Sequence, residues 1–140
     1  MLKEYLKDDY MQHVSCLDSW EEAIAVAADP LLKSRIIEES YIQAMIDSVE
    51  KNGPYIVLKD YFALPHAKAG EGVNDVGLSL LLLDEPVDLK GNPVKVFLVL
   101  AAVDHTSHLK ALSEISELLM NDETYEQFLA NDLAEIKKLL

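Results

Sequence analysis

Apolar positions recur with two different periods along the chain. In SWEEAIAVAADPLL, Trp20, Ile24 and Ala27 or Ala28 fall on one face, which predicts an amphipathic helix. Ser19 stands at its start with Glu22 three residues on, the spacing of a capping box. Pro30 is expected to close this helix or to open the next turn. A second helix is predicted over SRIIEESYIQAMIDSVEKN, with Ile37, Tyr41, Met45 and Val49 on one face, Ile42 and Ile46 beside them, and Ser34 as its cap. Gly53-Pro54 is a stop signal.

The period then shortens. YIVL and FALP read as brief strands around Lys59-Asp60, and VGLSLLLL as a strand buried on both faces. EPVDLKGNPV reads as a strand fragment with a reversal at Gly91-Asn92-Pro93, and VKVFLVLAAV as a central strand. Helical spacing returns in HTSHLKALSEISELLMN, where Leu109, Leu112, Ile115, Leu118 and Leu119 form the apolar stripe. Two shorter helices are expected over 122–130 and 133–140. Helices, then strands, then helices predict one α/β layered domain over 1–140 with a mixed sheet, and no repeat or linker-like tract divides it.

With 140 residues, half of them hydrophobic, the chain can bury a core without covalent staples. Its single cysteine, Cys16, excludes an internal disulfide and is expected to act as a small buried hydrophobe. The N-terminus lacks a signal-peptide pattern and no apolar run is long enough to span a bilayer, so a cytoplasmic protein without membrane insertion is expected. A net charge of −13 makes nucleic acid a poor partner and favours a basic protein in the encounter.

Chemistry concentrates at histidine. His66 follows Pro65, which holds the approach extended, and precedes the small residues Ala67, Ala69, Gly70 and Gly72 together with Lys68. Such a loop leaves room around a ring and offers backbone N–H groups to an anion. His105 and His108 follow the central strand, three apart at a predicted helix start, where Asp104, Thr106 and Ser107 are candidate caps. A strand end followed by a helix N-terminus favours negative charge. A neutral ring nitrogen is a good nucleophile, so a histidine-centred anion site suits phosphoryl relay.

Each of these residues also has a structural reading. Helix-start histidines can simply cap, Lys68 can be a solvated loop residue, and His13 is expected to lie in a mobile N-terminal segment. His66, His105 and His108, joined by Asp104, could alternatively hold zinc in a hydrolase, but no HExxH run or cysteine pair supports this. A GxSxG elbow and the glycine-rich nucleotide loops are absent too. A non-catalytic acidic binding domain is a further alternative.

The stretch from Gly53 to Leu119, with ALPHA, GLSLLLLDEPV and LAAVDHTSHLKAL in that order, resembles the enzyme IIA domains of the mannitol/fructose class of sugar phosphotransferase systems. Within that class it is most similar to the ascorbate-specific branch. The resemblance implies a five-stranded mixed sheet flanked by helices. It implies that His66 accepts a phosphoryl group from the carrier HPr and passes it to a cysteine of enzyme IIB, which works with the membrane component IIC to bring in a sugar, here expected to be L-ascorbate. It further implies that His108 stabilises the added charge, with His105 and Lys68 auxiliary, and that no cofactor or metal is needed. A regulatory phosphoacceptor without a transported sugar is the variant reading. Two departures stand out: Lys68 occupies a position that many ascorbate-branch members fill with arginine, and DSVEKNGPY lacks the arginine that other class members carry there. Lysine cannot form the bidentate fork of a guanidinium.

Overall fold

A computed structural model describes residues 2–139. The chain runs through α1 (Leu2–Tyr5), a 3-10 turn (Asp8–Tyr10), β1 (Met11–Val14), α2 (Trp20–Lys33), α3 (Glu39–Asn52), β2 (Val57–Lys59), β3 (Tyr61–Ala63), β4 (Gly77–Leu89), β5 (Asn92–Ala101), α4 (His105–Met120), α5 (Asp122–Leu129) and α6 (Leu133–Leu139). Position 140, the expected end of the last helix, lies outside the described residues.

The five strands form one sheet in the order β1-β4-β5-β3-β2. β4 and β5 pair antiparallel, as do β2 and β3, while β1 runs parallel to β4 and β3 parallel to β5. The mixed, helix-flanked α/β architecture expected from the sequence is therefore the one observed. Consecutive residues Leu78 to Leu83 of β4 are all buried, so both faces of the strand are covered. On one side Ser79 Oγ donates to Ala27 O of α2 at 2.6 Å, which satisfies a buried hydroxyl. Phe62 of β3 meets Phe128 of α5 edge-on at 5.5 Å.

Local signals act as expected at several termini. Ser19 caps α2 by accepting from Glu22 N–H at 3.1 Å, and Glu22 reaches back to the N–H of Asp18. Trp20, Ile24, Ala27 and Ala28 are buried, as are Tyr41, Met45 and Val49 of α3. Gly53 ends α3 with φ +83°.

Other expectations need correction. Pro30 lies inside α2 rather than ending it. It has no N–H for the carbonyl of Val26, and the side chain of Gln12 donates to that oxygen at 2.8 Å instead. Ser34 is the C-cap of α2, and α3 starts later, capped at Glu38 without a side-chain hydrogen bond. The strand fragment at 85–89 continues β4 across a bulge, and the reversal sits at Lys90-Gly91, one residue early. Both turn residues have positive φ, 53° and 95°, the geometry that matches the twist of a two-residue hairpin. Leu109 is 52% exposed, while Ala111, Ile115 and Leu119 carry the buried face of α4. Cys16 is exposed rather than buried. His13 belongs to β1, an ordered edge strand in register with Leu80 to Leu83. Among the described residues no helix is long and apolar enough to cross a membrane.

Candidate functional site

The parallel pairing of β3 with β5 brings the candidate residues together. Both strands end on the same side of the sheet: β3 runs out into Leu64-Pro65-His66, and β5 into Asp104 and the start of α4. The ladder continues past the strand ends, because Leu100 N–H donates to Pro65 O at 3.0 Å and Gly70 N–H to Ala102 O at 2.9 Å. The His66 loop is thus stitched to the end of the central strand, at the place where open α/β sheets bind ligands. The loop needs its small residues. At Gly72, with φ +74°, an added Cβ would lie 2.9 Å from Ser40 Oγ and 3.1 Å from Tyr41 Cβ.

His66 Nδ1 lies 2.6 Å from Leu64 O. A carbonyl only accepts, so the proton sits on Nδ1 and the lone pair on Nε2. No described residue forms a hydrogen bond to Nε2, and the ring lines an open cleft of about 370 Å³. Burial lowers the pKa of His66 and the neighbouring His108 lowers it further, against the opposing pull of the Leu64 hydrogen bond. The ring is therefore held neutral and nucleophilic.

His108 sits one turn into α4, its ring centroid 5.4 Å from that of His66. Partial burial also lowers its pKa, with His105 adding to the effect. Asp104 caps α4 by accepting from Ser107 N–H at 2.8 Å, and the Ser107 backbone and hydroxyl hold its carboxyl below the usual range. His105 and Lys68 line the same cleft, and both are exposed. Among the described residues Lys68 forms no ion pair, so its ammonium is available to an anion entering the cleft. All four candidate residues are therefore adjacent. They do not make a metal centre: among the described residues no group of three or more His, Cys, Asp or Glu is arranged to hold an ion. Among the described residues the hydrolase alternative thus finds no three-ligand donor set.

Sequence reasoning missed four residues that shape the cleft. Ser48 and Asn52 from the last turns of α3 line it, and so does Tyr55, whose ring stands edge-on to His66 at 5.3 Å. Tyr41 lies beneath the loop with its hydroxyl on Ala67 N–H and Leu100 O. The helical period of α3 marks Tyr41 as a core residue, but no sequence signal shows where its hydroxyl points.

Residues 4–140 match the family model of the phosphoenolpyruvate-dependent sugar phosphotransferase system, EIIA 2. The chain is 38% identical over 130 residues to the mannitol-specific cryptic phosphotransferase enzyme IIA component of Escherichia coli K12, covering 91% of this chain and 88% of that protein. The solution structure of that type of enzyme from E. coli superposes with a TM-score of 0.91 at 36% identity, covering 99% of both chains. The ascorbate-specific EIIA component of E. coli K12 is 32% identical over 117 residues, covering 81% of this chain and 76% of that protein. The expected placement in the ascorbate branch is thereby overturned, since the mannitol-specific relative is more similar over a longer span. The stretches that suggested ascorbate build the sheet and the histidine cleft. The chain belongs to the EIIA type-2 family and is a phosphoryl-carrying component of a sugar phosphotransferase system.

Proposed function

We propose that His66 Nε2 is the phosphoryl acceptor, with phospho-HPr as donor and a cysteine of a cognate enzyme IIB as recipient. The observation that carries this reading is the 2.6 Å hydrogen bond from Nδ1 to Leu64 O, which commits the other nitrogen to the open cleft. In the first transfer the Nε2 lone pair attacks phosphorus, and the bond to the donor nitrogen breaks with its electron pair returning to the donor. In the second, the IIB thiolate attacks and the pair returns to Nε2. The proton stays on Nδ1, hydrogen-bonded to Leu64 O, throughout, so neither step needs a proton from this chain.

The transferring group spreads its charge over three equatorial oxygens. His108 supports that charge as a neutral hydrogen-bond donor, with Lys68, a mobile cation at the rim, and His105, at the first residue of α4, in auxiliary parts. The two mannitol-specific findings favour a hexitol as the sugar at the end of the relay.

The test is incubation with phosphoenolpyruvate, enzyme I and HPr. One acid-labile phosphoryl mass should be gained, localised to His66 and discharged on adding IIB. Label on any other residue refutes the acceptor assignment. Uptake of labelled mannitol against ascorbate, in a host carrying the matching IIB and IIC, tests the sugar.

A further inference from the structure

The peptide bond that follows His66 is held at both polar ends by tyrosine side chains. Its carbonyl, His66 O, accepts from the Tyr55 hydroxyl at 2.6 Å. Its N–H, on Ala67, donates to the Tyr41 hydroxyl at 3.1 Å, and Tyr41 donates onward to Leu100 O of β5 at 2.7 Å. Elsewhere along this segment backbone holds backbone: Leu64 N–H on Ile56 O, Leu100 N–H on Pro65 O, Gly70 N–H on Ala102 O. The 66–67 peptide is the exception, and it adjoins the nucleophile.

Both tyrosines come from one part of the chain. Tyr41 is 1% exposed on the buried face of α3, and Tyr55 stands just past the C-cap of that helix, its N–H on Gly53 O. Burial pushes the Tyr41 hydroxyl up to about 12, so it stays neutral and can donate and accept at once. The Tyr55 ring also packs edge-on against the imidazole at an interplanar angle of 83°.

We infer that Tyr41 and Tyr55 form a clamp on the 66–67 peptide that sets the orientation of the His66 ring for phosphoryl acceptance, making both of them positioning residues. This rests on the reading of His66 as the acceptor. On the N-terminal side of His66 the ladder fixes Leu64 O, the partner of Nδ1. On the C-terminal side the two hydroxyls prevent rotation about the residue's own backbone. Nδ1 can meet Leu64 O, and Nε2 can face the cleft, only while both sides hold. In-line transfer is sensitive to such placement, since a displacement of about 1 Å can cost roughly a hundredfold in rate.

The experiment compares Tyr55→Phe, Tyr41→Phe and His66→Ala in the full chain. Readouts are the rate of phosphoryl gain at saturating phospho-HPr, the HPr concentration at half-maximal rate, and the ¹⁵N shifts of the His66 ring. Tyr55→Phe keeps the ring wall and removes only the hydroxyl. It should lower the saturated rate about tenfold, the loss of one neutral hydrogen bond, with half-saturation unchanged. The His66 shifts should show a growing share of the Nε2–H tautomer. Tyr41→Phe should move the same readouts in the same direction, but it leaves a buried N–H and a carbonyl unpaired, so Tyr55→Phe is decisive where Tyr41→Phe folds poorly. A saturated rate and ring shifts of wild-type value in Tyr55→Phe overturn the clamp, as does a lowered thermal midpoint with both unchanged. Label persisting in His66→Ala overturns the acceptor reading itself. Label lost in His66→Ala beside full activity in Tyr55→Phe overturns the clamp alone.

Discussion

His13 lies in the edge strand of the sheet and His66 in the loop that leaves β3, and each ring makes one short hydrogen bond, yet the two bonds have opposite consequences. His13 lies on the edge strand β1, 40% exposed, with Nε2 2.7 Å from the carboxylate of Asp84. That contact is the main reason the Asp84 carboxyl is held below its usual range, with Asn131 and Lys95 adding to it. His66 instead gives its Nδ1 proton to a backbone carbonyl inside a cleft. A carboxylate occupies Nε2 of the first ring, whereas a carbonyl at Nδ1 frees Nε2 of the second. Whether a histidine is a nucleophile here depends on which nitrogen is engaged and by what.

The sharpest way to break this comparison is to remove each ring in turn. His66→Ala should abolish phosphoryl gain from phosphoenolpyruvate, enzyme I and HPr, while His13→Ala should gain one full equivalent at the wild-type rate. Intact-protein mass spectrometry reads both, and the reverse pattern would mean the wrong histidine was chosen.

The neighbour of each ring comes next. His108→Ala should fold normally and slow delivery to IIB by roughly a hundredfold, the usual cost of one preorganised donor at a charge-developing site. His108→Gln should recover part of that rate because its amide still donates, and His105→Ala should do much less. Rapid-quench transfer from the phosphorylated protein measures all three, and a larger defect for His105→Ala would reverse their roles.

A smaller effect concerns pH. An ordinary histidine is half protonated near 6.5, and His66 titrates below that value. Acceptance should therefore persist at pH 6.5 and fail only in more acidic solution, read by rates and ring NMR over roughly pH 5 to 8. The same shift has a stability consequence. The folded pKa lies below the unfolded one, so the unfolded chain takes up the proton first as pH falls. Stability from His66 is full above the unfolded pKa and declines from there toward the folded one. His66→Gln should flatten that decline in denaturation experiments across the same range.

The smallest effect belongs to the exposed pair. Asp84→Asn and His13→Ala should each leave transfer rates unchanged and shift the thermal midpoint only slightly, because solvent-exposed pairs contribute little and salt screens them. A large shift would mean that the contacts of Asn131 with Leu83 O and Asp84 make this edge a structural clasp.

Most elements were legible because their signals are local. The Ser19 and Glu22 cap, the stop at Gly53 and the apolar run of β4 depend on residues a few positions apart. β1 was missed because its four residues carry no clear alternation and gain a partner only 71 positions away, where His13 meets Asp84. Pro30 was misread because the group that compensates for its missing N–H, the Gln12 amide, comes from a different element. Within the site, His66 announced itself through Pro65 and the small residues after it, while Tyr41 and Tyr55 looked like ordinary core and turn residues.

By itself the sequence determined most of the helices and the long strands, that the domain is α/β, and which histidines are candidates for chemistry, His66, His105 and His108. Periodicity, capping and proline restriction act through covalent neighbours and are readable in one dimension. Only the tertiary structure decided that β3 and β5 lie side by side and parallel, which brings the two rings within 5.4 Å. It also decided that the 66–67 peptide is held by two hydroxyls and that Nε2 rather than Nδ1 is free. A hydrogen bond between groups distant in the chain depends on how the sheet closes, and that is a property of the whole fold.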